Sequence, residues 1–213
     1  MPEASALYAQ AQAAHRAPES LTCDAKAIVD APENAGRYAL HLSVKRPASV
    51  RIEALTPLGD PAAVLVADQG KFALLDLRNG VFYRGPATPQ NLSRLIPAPL
   101  TADQLVSLVT GAIPEGGDAL TANRDDGGYV LGLAKERVWL GGDMRVRRVE
   151  RDGWAVTLDD HDDSGVPRTI HLDAPSGNTK VDLRLRNVAT GKPPPAGAFQ
   201  LTPPAGMRIE DLQ

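Results

Sequence analysis

Residues 38–113 carry the pattern that decides the fold. They contain YALHLSV (38–44), LTPLGDP (55–61), GKFALLDLRNGVFYRG (70–85) and PLTADQLVSLVTGAI (99–113). In the first segment Tyr38, Leu40, Leu42 and Val44 alternate with Ala39, His41 and Ser43. A period of two sends successive side chains to opposite faces of a half-buried strand. Further strands are expected at 50–55, 63–67, 71–77 and 81–84, separated by turn signals at Pro47, Gly59-Asp60-Pro61, Gln69-Gly70 and Asn79-Gly80. Asn79-Gly80 is the strongest of these, since a two-residue type I′ turn requires positive φ at both positions. Upstream, Leu21, Cys23, Ala25, Ala27 and Val29 also alternate, so six consecutive strands form a meander.

The period then changes. Residues 89–96 suit a short helix, and Thr101-Ala102-Asp103-Gln104 reads as a capping box opening a second helix through Leu105, Val106, Leu108 and Val109, closed by Gly111 and Pro114. A turn is expected at 115–118. Strands resume at 129–133, 137–140, 144–149, 154–158, 168–172 and 181–186. In the last of these Val181, Leu183 and Leu185 alternate with Asp182, Arg184 and Arg186, which gives the sheet an apolar inside and a wet outside. At the N-terminus Ala4, Leu7, Tyr8, Ala11 and His15 recur at helical spacing until Pro18 stops the helix. Pro193-Pro194-Pro195 and Pro203-Pro204 block ladder hydrogen bonding and favour an extended crossing segment.

The expected architecture is mainly β with a few helices, and residues 1–213 form one domain. Its parts are an N-terminal helix (1–17), a first meander (20–85), a helical insert (89–112), a second set of hairpins (120–188) and a Pro-rich C-terminal segment (189–213). A chain of 213 residues is within the range of a single all-β domain. Hydrophobic residues make up 43% but aromatics only 4%, so the interior is aliphatic. A net charge of -3 gives no basic excess to attract nucleic acid. The single cysteine, Cys23, lies in an alternating strand and reads as a small buried hydrophobe. No run of about 18 apolar residues is present to span a membrane as a helix. Met1-Pro2-Glu3 has no signal-peptide character, which leaves a cytosolic protein or one that begins after a removed signal.

No grouping resembles a catalyst, and no cofactor is expected. His15, His41, His161 and His171 lack metal-ligand spacing and read as surface residues, although His161 and His171 flank one hairpin and could face each other. No GxSxG elbow, Walker loop or GxGxxG occurs, and the glycine pairs at 116, 127 and 141 fall at hairpin turns. Asp160-His161-Asp162-Asp163-Ser164-Gly165 matches the first half of a calcium loop, but His171 stands where the bidentate Glu belongs, so a solvated hairpin tip is the better reading and no metal site is expected. Arg145, Arg147, Arg148, Arg151, Arg184 and Arg186 are either a basic stripe for lipid headgroups or the polar face of a sheet with acids such as Glu150. Leu58 sits in a hairpin connection where polar residues belong, and either tucks into the core or is exposed for function.

Taken in order, the Ala-rich first helix, the meander, the Pro57-Leu58-Gly59 loop, "GKFALLDLRNGVFYRG", "PLTADQLVSLVTGAIP" and the closing "FQLTPPAGMRIEDL" resemble the LolB outer-membrane lipoprotein receptors and their periplasmic carriers of the LolA type. The resemblance covers most of the chain. It implies an incomplete antiparallel β-barrel of about eleven or twelve strands, with a helical lid over an apolar cavity. It also implies a receptor that takes acylated lipoproteins from a LolA-type periplasmic carrier and delivers them to the inner leaflet of the outer membrane. On that reading Leu58 is the exposed residue of a membrane-delivery loop, and the native form is lipid-anchored at the periplasm-facing outer membrane, although the family's N-terminal anchor cysteine is absent here.

With that fold, the expected cavity lining is Leu40, Leu42, Val44, Val50, Ile52, Val64, Val66, Leu74 and Trp139, under lid residues Leu92, Leu95, Leu105, Leu108 and Val109. A one-residue slip in any strand inverts its assignment, and each of these side chains belongs either to a cavity wall or to a filled core. Two other readings stay open on the same fold: a lipid- or lipoprotein-sensing module and a structural envelope protein with a filled interior.

Overall fold

The computed structural model describes residues 3–32, 35–114, 119–151 and 153–213. The expected turn at 115–118 lies outside them. Six strands follow an N-terminal helix α1 (Ala4–Ala14): β1 (Ser20–Asp30), β2 (Gly36–Lys45), β3 (Ser49–Leu55), β4 (Pro61–Asp68), β5 (Lys71–Asp76) and β6 (Val81–Pro86). Helices α2 (Pro89–Leu92) and α3 (Ala102–Thr110) interrupt them. The strands then resume as β7 (Thr121–Asp125), β8 (Gly128–Gly132), β9 (Arg137–Gly141), β10 (Val146–Arg151), β11 (Trp154–Asp159), β12 (Thr169–Ala174), β13 (Thr179–Thr190) and β14 (Arg208–Asp211).

Among the described residues all fourteen strands belong to one sheet, ordered β14-β6-β5-β4-β3-β2-β1-β13-β12-β11-β10-β9-β8-β7. The seam is β1, which pairs with β2 on one side and β13 on the other, so the long final hairpin strand fuses two meanders. Residues Ala25, Ala27 and Val29 of β1 face Leu185, Leu183 and Val181 of β13. The intervening Asp24, Lys26, Ile28 and Asp30 are exposed, as the period-two pattern requires. The sheet is antiparallel except where β14 runs parallel to β6.

Two strands escape sequence reading, and both are edges. Of β7's five residues only Ala122 is buried, so no apolar alternation marks the strand. Strand β14 is formed by Arg208, Ile209, Glu210 and Asp211, mostly exposed. Charged, short edge strands resist pairing with other chains.

Turn chemistry is also redistributed. The two-residue turn with positive φ at both positions is Gln69-Gly70, at 48° and 74°, closing the pair Asp68–Lys71. In the 77–80 loop only Gly80 has positive φ, 66°, so the expected type I′ turn at Asn79-Gly80 is not formed. A four-residue connection stands there instead, because the Asp76 carboxylate accepts hydrogen bonds from the backbone N–H of Arg78 (3.0 Å) and Asn79 (3.1 Å) and from Asn79 Nδ2 (2.7 Å).

Toward β7–β10 the concave face of the second meander is filled. Leu7 and Ala11 of α1 pack into the same core as Leu131, Val138, Leu140, Val149 and Val156. Tyr8 donates from its hydroxyl to the Pro114 carbonyl at 3.1 Å. Helix α3 ends at Gly111, whose φ of 72° is the left-handed conformation that closes helices. A Cβ there would lie 2.5 Å from the Gly165 carbonyl oxygen, so the position also needs glycine for close approach. At the other end of α3, Gln104 accepts from the Thr101 N–H (3.0 Å) and donates to Glu136 (2.7 Å), which also faces Arg151 at 3.5 Å. This chain of polar groups ties the helical segment to the β8–β9 connection.

Candidate functional site

Over the first meander and the seam, the concave face is not filled. A cavity of about 350 Å³ remains between β1–β5, β11–β13 and the segment 94–109. Its walls are aliphatic: Leu40, Leu42, Val44, Val50, Ile52 and Leu74 from the first meander face Leu172, Val181 and Leu183 across it. Leu95, Leu105, Leu108 and Val109 close it from above, with Ile96, Pro97, Ala98 and Leu100 from the irregular stretch between α2 and α3. Polar side chains gather at one end: Asp76 from the end of β5, Arg78 and Asn79 from the β5–β6 loop, and Arg94 from the segment above.

The space exists because parts of its floor are small. Ala54 lies opposite Leu40 on one side and Ala63 on the other, and both alanines, with Ala27 and Ala62, line the cavity. Sequence reading picked the bulky wall residues and missed these alanines. The available signal was alanine at inward positions of consecutive paired strands, where a filled core would place Leu or Ile.

Three expected lining residues lie elsewhere. Val64 and Val66 point to the convex face, where they cluster with Leu75 and Phe82 beneath Phe199, Leu201 and Met207 of the C-terminal segment. In β4 the inward set is Ala63, Leu65 and Ala67, paired with Ala54, Ile52 and Val50. The run Ala62-Ala63-Val64-Leu65-Val66-Ala67 is apolar on both faces because both are covered, so alternation cannot choose between them. Trp139 is also outside: Val138 and Leu140 are the buried residues of β9, and the indole is sandwiched by Arg137 (5.2 Å to the ring centroid) and Arg148 (5.8 Å). Leu92, fully buried, belongs to the main core under α2 rather than to the cavity wall.

Leu58 stands clear of the protein, 91% exposed, at the tip of the β3–β4 connection. The tip is built stiffly. Pro57 presets its own φ, Gly59 supplies a φ of 93°, and the Gly59 N–H donates to the Thr56 carbonyl at 2.9 Å while the Thr56 N–H donates to Asp60 at 2.7 Å. Leu55, three residues earlier, lines the cavity. The Leu77 N–H bonds the Ala62 carbonyl at 3.1 Å, so the Leu58 loop and the polar collar of the β5–β6 loop share one rim.

The remaining motifs resolve into ordinary surface chemistry. Arg145 and Arg147 face Asp143 (3.7 and 2.8 Å), Arg148 faces Glu150 (2.5 Å) and Arg151 faces Glu136, while Arg184 and Arg186 are exposed along β13. Acids interleave the expected stripe, as the polar-face reading requires. Asp162 of the half calcium loop is engaged by the Ser164 hydroxyl (2.6 Å), the Val166 N–H (3.1 Å) and Arg168 (2.7 Å). Although burial pushes its carboxyl up, those hydrogen bonds and the Arg168 charge outweigh it and hold it below the usual range. His161 and His171 do not meet; the first lies 3.2 Å from Arg147 and the second 2.5 Å from Asp182. Cys23 is buried in β1, and burial, reinforced by the Asp24 charge, pushes its thiol up to about 12. It is an inert core residue.

No family's sequence model matches this chain, and no curated protein matches it. Solved structures do. A DUF1329 family protein from Desulfovibrio piger superposes with a TM-score of 0.67 at 8% identity, covering 92% of this chain and 95% of that one. A LolA superfamily protein from Nitrosomonas europaea gives 0.64 at 12% identity, over 94% and 99% of the two chains. The fold is of the LolA-superfamily type. A domain from Vibrio parahaemolyticus assigned to outer membrane lipoprotein sorting gives 0.65 at 10% identity, over 92% and 96%. Identity this low speaks for shared architecture alone. The LolA-like fold accounts for the open curled sheet with helices across its concave side, which the sequence reading expected as an incomplete barrel.

Proposed function

We propose that this protein binds acyl chains in its apolar cavity and moves acylated lipoproteins to the outer membrane of a bacterial envelope, in the manner of a LolB-type receptor. The observation that supports this reading is the aliphatic cavity of about 350 Å³ under a helical cover, with an exposed leucine on a stiff loop at its rim. Each methylene withdrawn from water contributes about 0.8 kcal/mol, so even one chain is held firmly. A bilayer offers the same apolar surroundings, so passage from cavity to membrane is close to neutral and can run forward under mass action. Binding rather than covalent chemistry fits the lining. Among the described residues its polar side chains are Tyr38 and the four at the mouth, and the rest of the wall is hydrocarbon.

Leu58 then acts as the contact with the membrane. One buried leucine contributes about 1.5–3 kcal/mol, enough for a transient touch and far too little for a permanent anchor. The partners in this reading are an acylated lipoprotein, a LolA-type periplasmic carrier and the inner leaflet of the outer membrane.

The test is a transfer assay in which a palmitoylated lipoprotein loaded on a LolA-type carrier is presented to this protein and then to liposomes. Cargo is expected to pass to the protein and onward to lipid, and Leu58→Glu is expected to accept cargo without delivering it. Refusal of cargo by the folded wild type would overturn the receptor reading.

A further inference from the structure

The mouth of the cavity carries two arginines at the end of an apolar chamber. Several arginines of the sheet face carboxylates: Arg51 meets Glu53 at 2.7 Å, Arg84 meets Asp211 at 2.5 Å, Arg147 meets Asp143 at 2.8 Å and Arg168 meets Asp162 at 2.7 Å. Arg78 and Arg94 make no such ion pair among the described residues. Both are exposed, yet both line the cavity. The guanidinium carbon of Arg94 sits 4.7 Å from the centroid of the Tyr83 ring, which holds the group over the ring. The one carboxylate at the mouth, Asp76, is already engaged by three donors of its own loop, the N–H groups of Arg78 and Asn79 and the Asn79 amide. The collar thus presents two cations without a carboxylate partner, among the described residues, at the end of an apolar chamber.

From this collar we infer that the cavity's ligand is an amphiphile with an anionic head, its chain lying among Leu40, Leu42, Ile52 and Leu74 and its head bound by Arg78 and Arg94. The chamber, about 350 Å³, suits one chain in this form. Cargo with more chains requires the 93–100 segment to move outward. A carboxylate and a phosphate both suit guanidinium forks, so the shared chemistry is a single acyl chain ending in an anion. This inference rests on the acyl-chain reading and adds the recognition of the head to it.

Isothermal titration with laurate, dodecyl phosphate and the neutral dodecanol, each below its micelle concentration, tests it with chain length held constant. The anions are expected to bind the wild type roughly tenfold or more tightly than the alcohol, with an advantage that shrinks as salt rises. Which anion binds tighter distinguishes a fatty-acid carboxylate from a lipid phosphate as the head. Arg78→Gln with Arg94→Gln is expected to bring the anions down to the alcohol. The ratio of anion to alcohol affinity is the readout, so a general loosening of the cavity cancels. Equal affinity of all three for the wild type, or an unchanged ratio in the double variant, overturns the assignment of the head while the acyl-chain reading stands. Failure of all three to bind overturns both.

Discussion

Ala54→Leu separates a cavity from a core at one position. Ala54 lines the chamber, is 9% exposed and lies between Leu40 and Ala63 on the neighbouring strands. The substitution adds three carbons pointing into the space. If the space is free, those carbons bury apolar surface at about 0.8 kcal/mol each, and stability stays level or rises by up to about 2 kcal/mol. If the site is packed, the same carbons overfill it and cost about 1–3 kcal/mol. Ligand binding moves oppositely: three methylenes of the chain are displaced, about 2.4 kcal/mol, or roughly fifty-fold in affinity. Urea unfolding followed by tryptophan fluorescence gives the first quantity, and displacement of a fluorescent fatty acid gives the second. The expected result is unchanged or higher stability with binding weakened by more than tenfold. A variant that loses 1 kcal/mol or more of stability and binds like the wild type would refute the placement of the ligand site, whatever the fold.

Further outcomes follow from local chemistry. Gly111→Ala is expected to destabilise by about 1 kcal/mol or more, since the left-handed φ and the 2.5 Å approach to the Gly165 carbonyl both oppose a Cβ; urea midpoints measure it. Gln104→Ala removes the link from Thr101 to the half-buried Glu136 and is expected to cost about 1–2 kcal/mol, with faster hydrogen exchange confined to α3. The Cys23 thiol is raised by burial to about 12 from an unfolded value of 9.0. Its contribution is therefore complete below pH 9 and falls, by about 1.4 kcal/mol per pH unit at most, as pH rises from there to 12. Cys23→Ala is expected to flatten that alkaline decline in pH-dependent unfolding.

The meander, the helical insert and the exposed or buried fate of most side chains were legible because one face of each strand is wet. Strand β1 is the clearest instance, with Leu21, Cys23, Ala25, Ala27 and Val29 in and the charged residues out. Legibility failed where that premise fails. In β4, Val64, Leu65, Val66 and Ala67 are all buried because the C-terminal segment covers the outer face with Phe199, Leu201 and Met207. The prolines of that segment announced an extended crossing strap, but nothing local to β4 says what it crosses. Trp139 misled for a related reason, since an aromatic among apolar residues suggests the inside, while its neighbours Arg137 and Arg148 hold it on the outer face. β7 and β14 were invisible because edge strands bury too little to pattern the chain.

The cavity itself was the hardest feature to read, because a void is an absence of side chains and leaves its mark in residues that attract no attention. The bulky wall residues are what a filled core would also use; only the small residues among them, Ala27 paired with Leu183 and Ala54 set between Leu40 and Ala63, distinguish the two. The same sheet resolves both alternatives side by side. Its second meander receives Leu7 and Ala11 of α1 and closes into a packed core, whereas its first meander is roofed by a stretch, 93–100, interrupted by Pro97 and Pro99. Prolines deny that roof the hydrogen bonds that would make it a rigid helix. In the proposed binding role a chain enters past this proline-broken segment, while the fourteen-stranded sheet keeps the floor fixed.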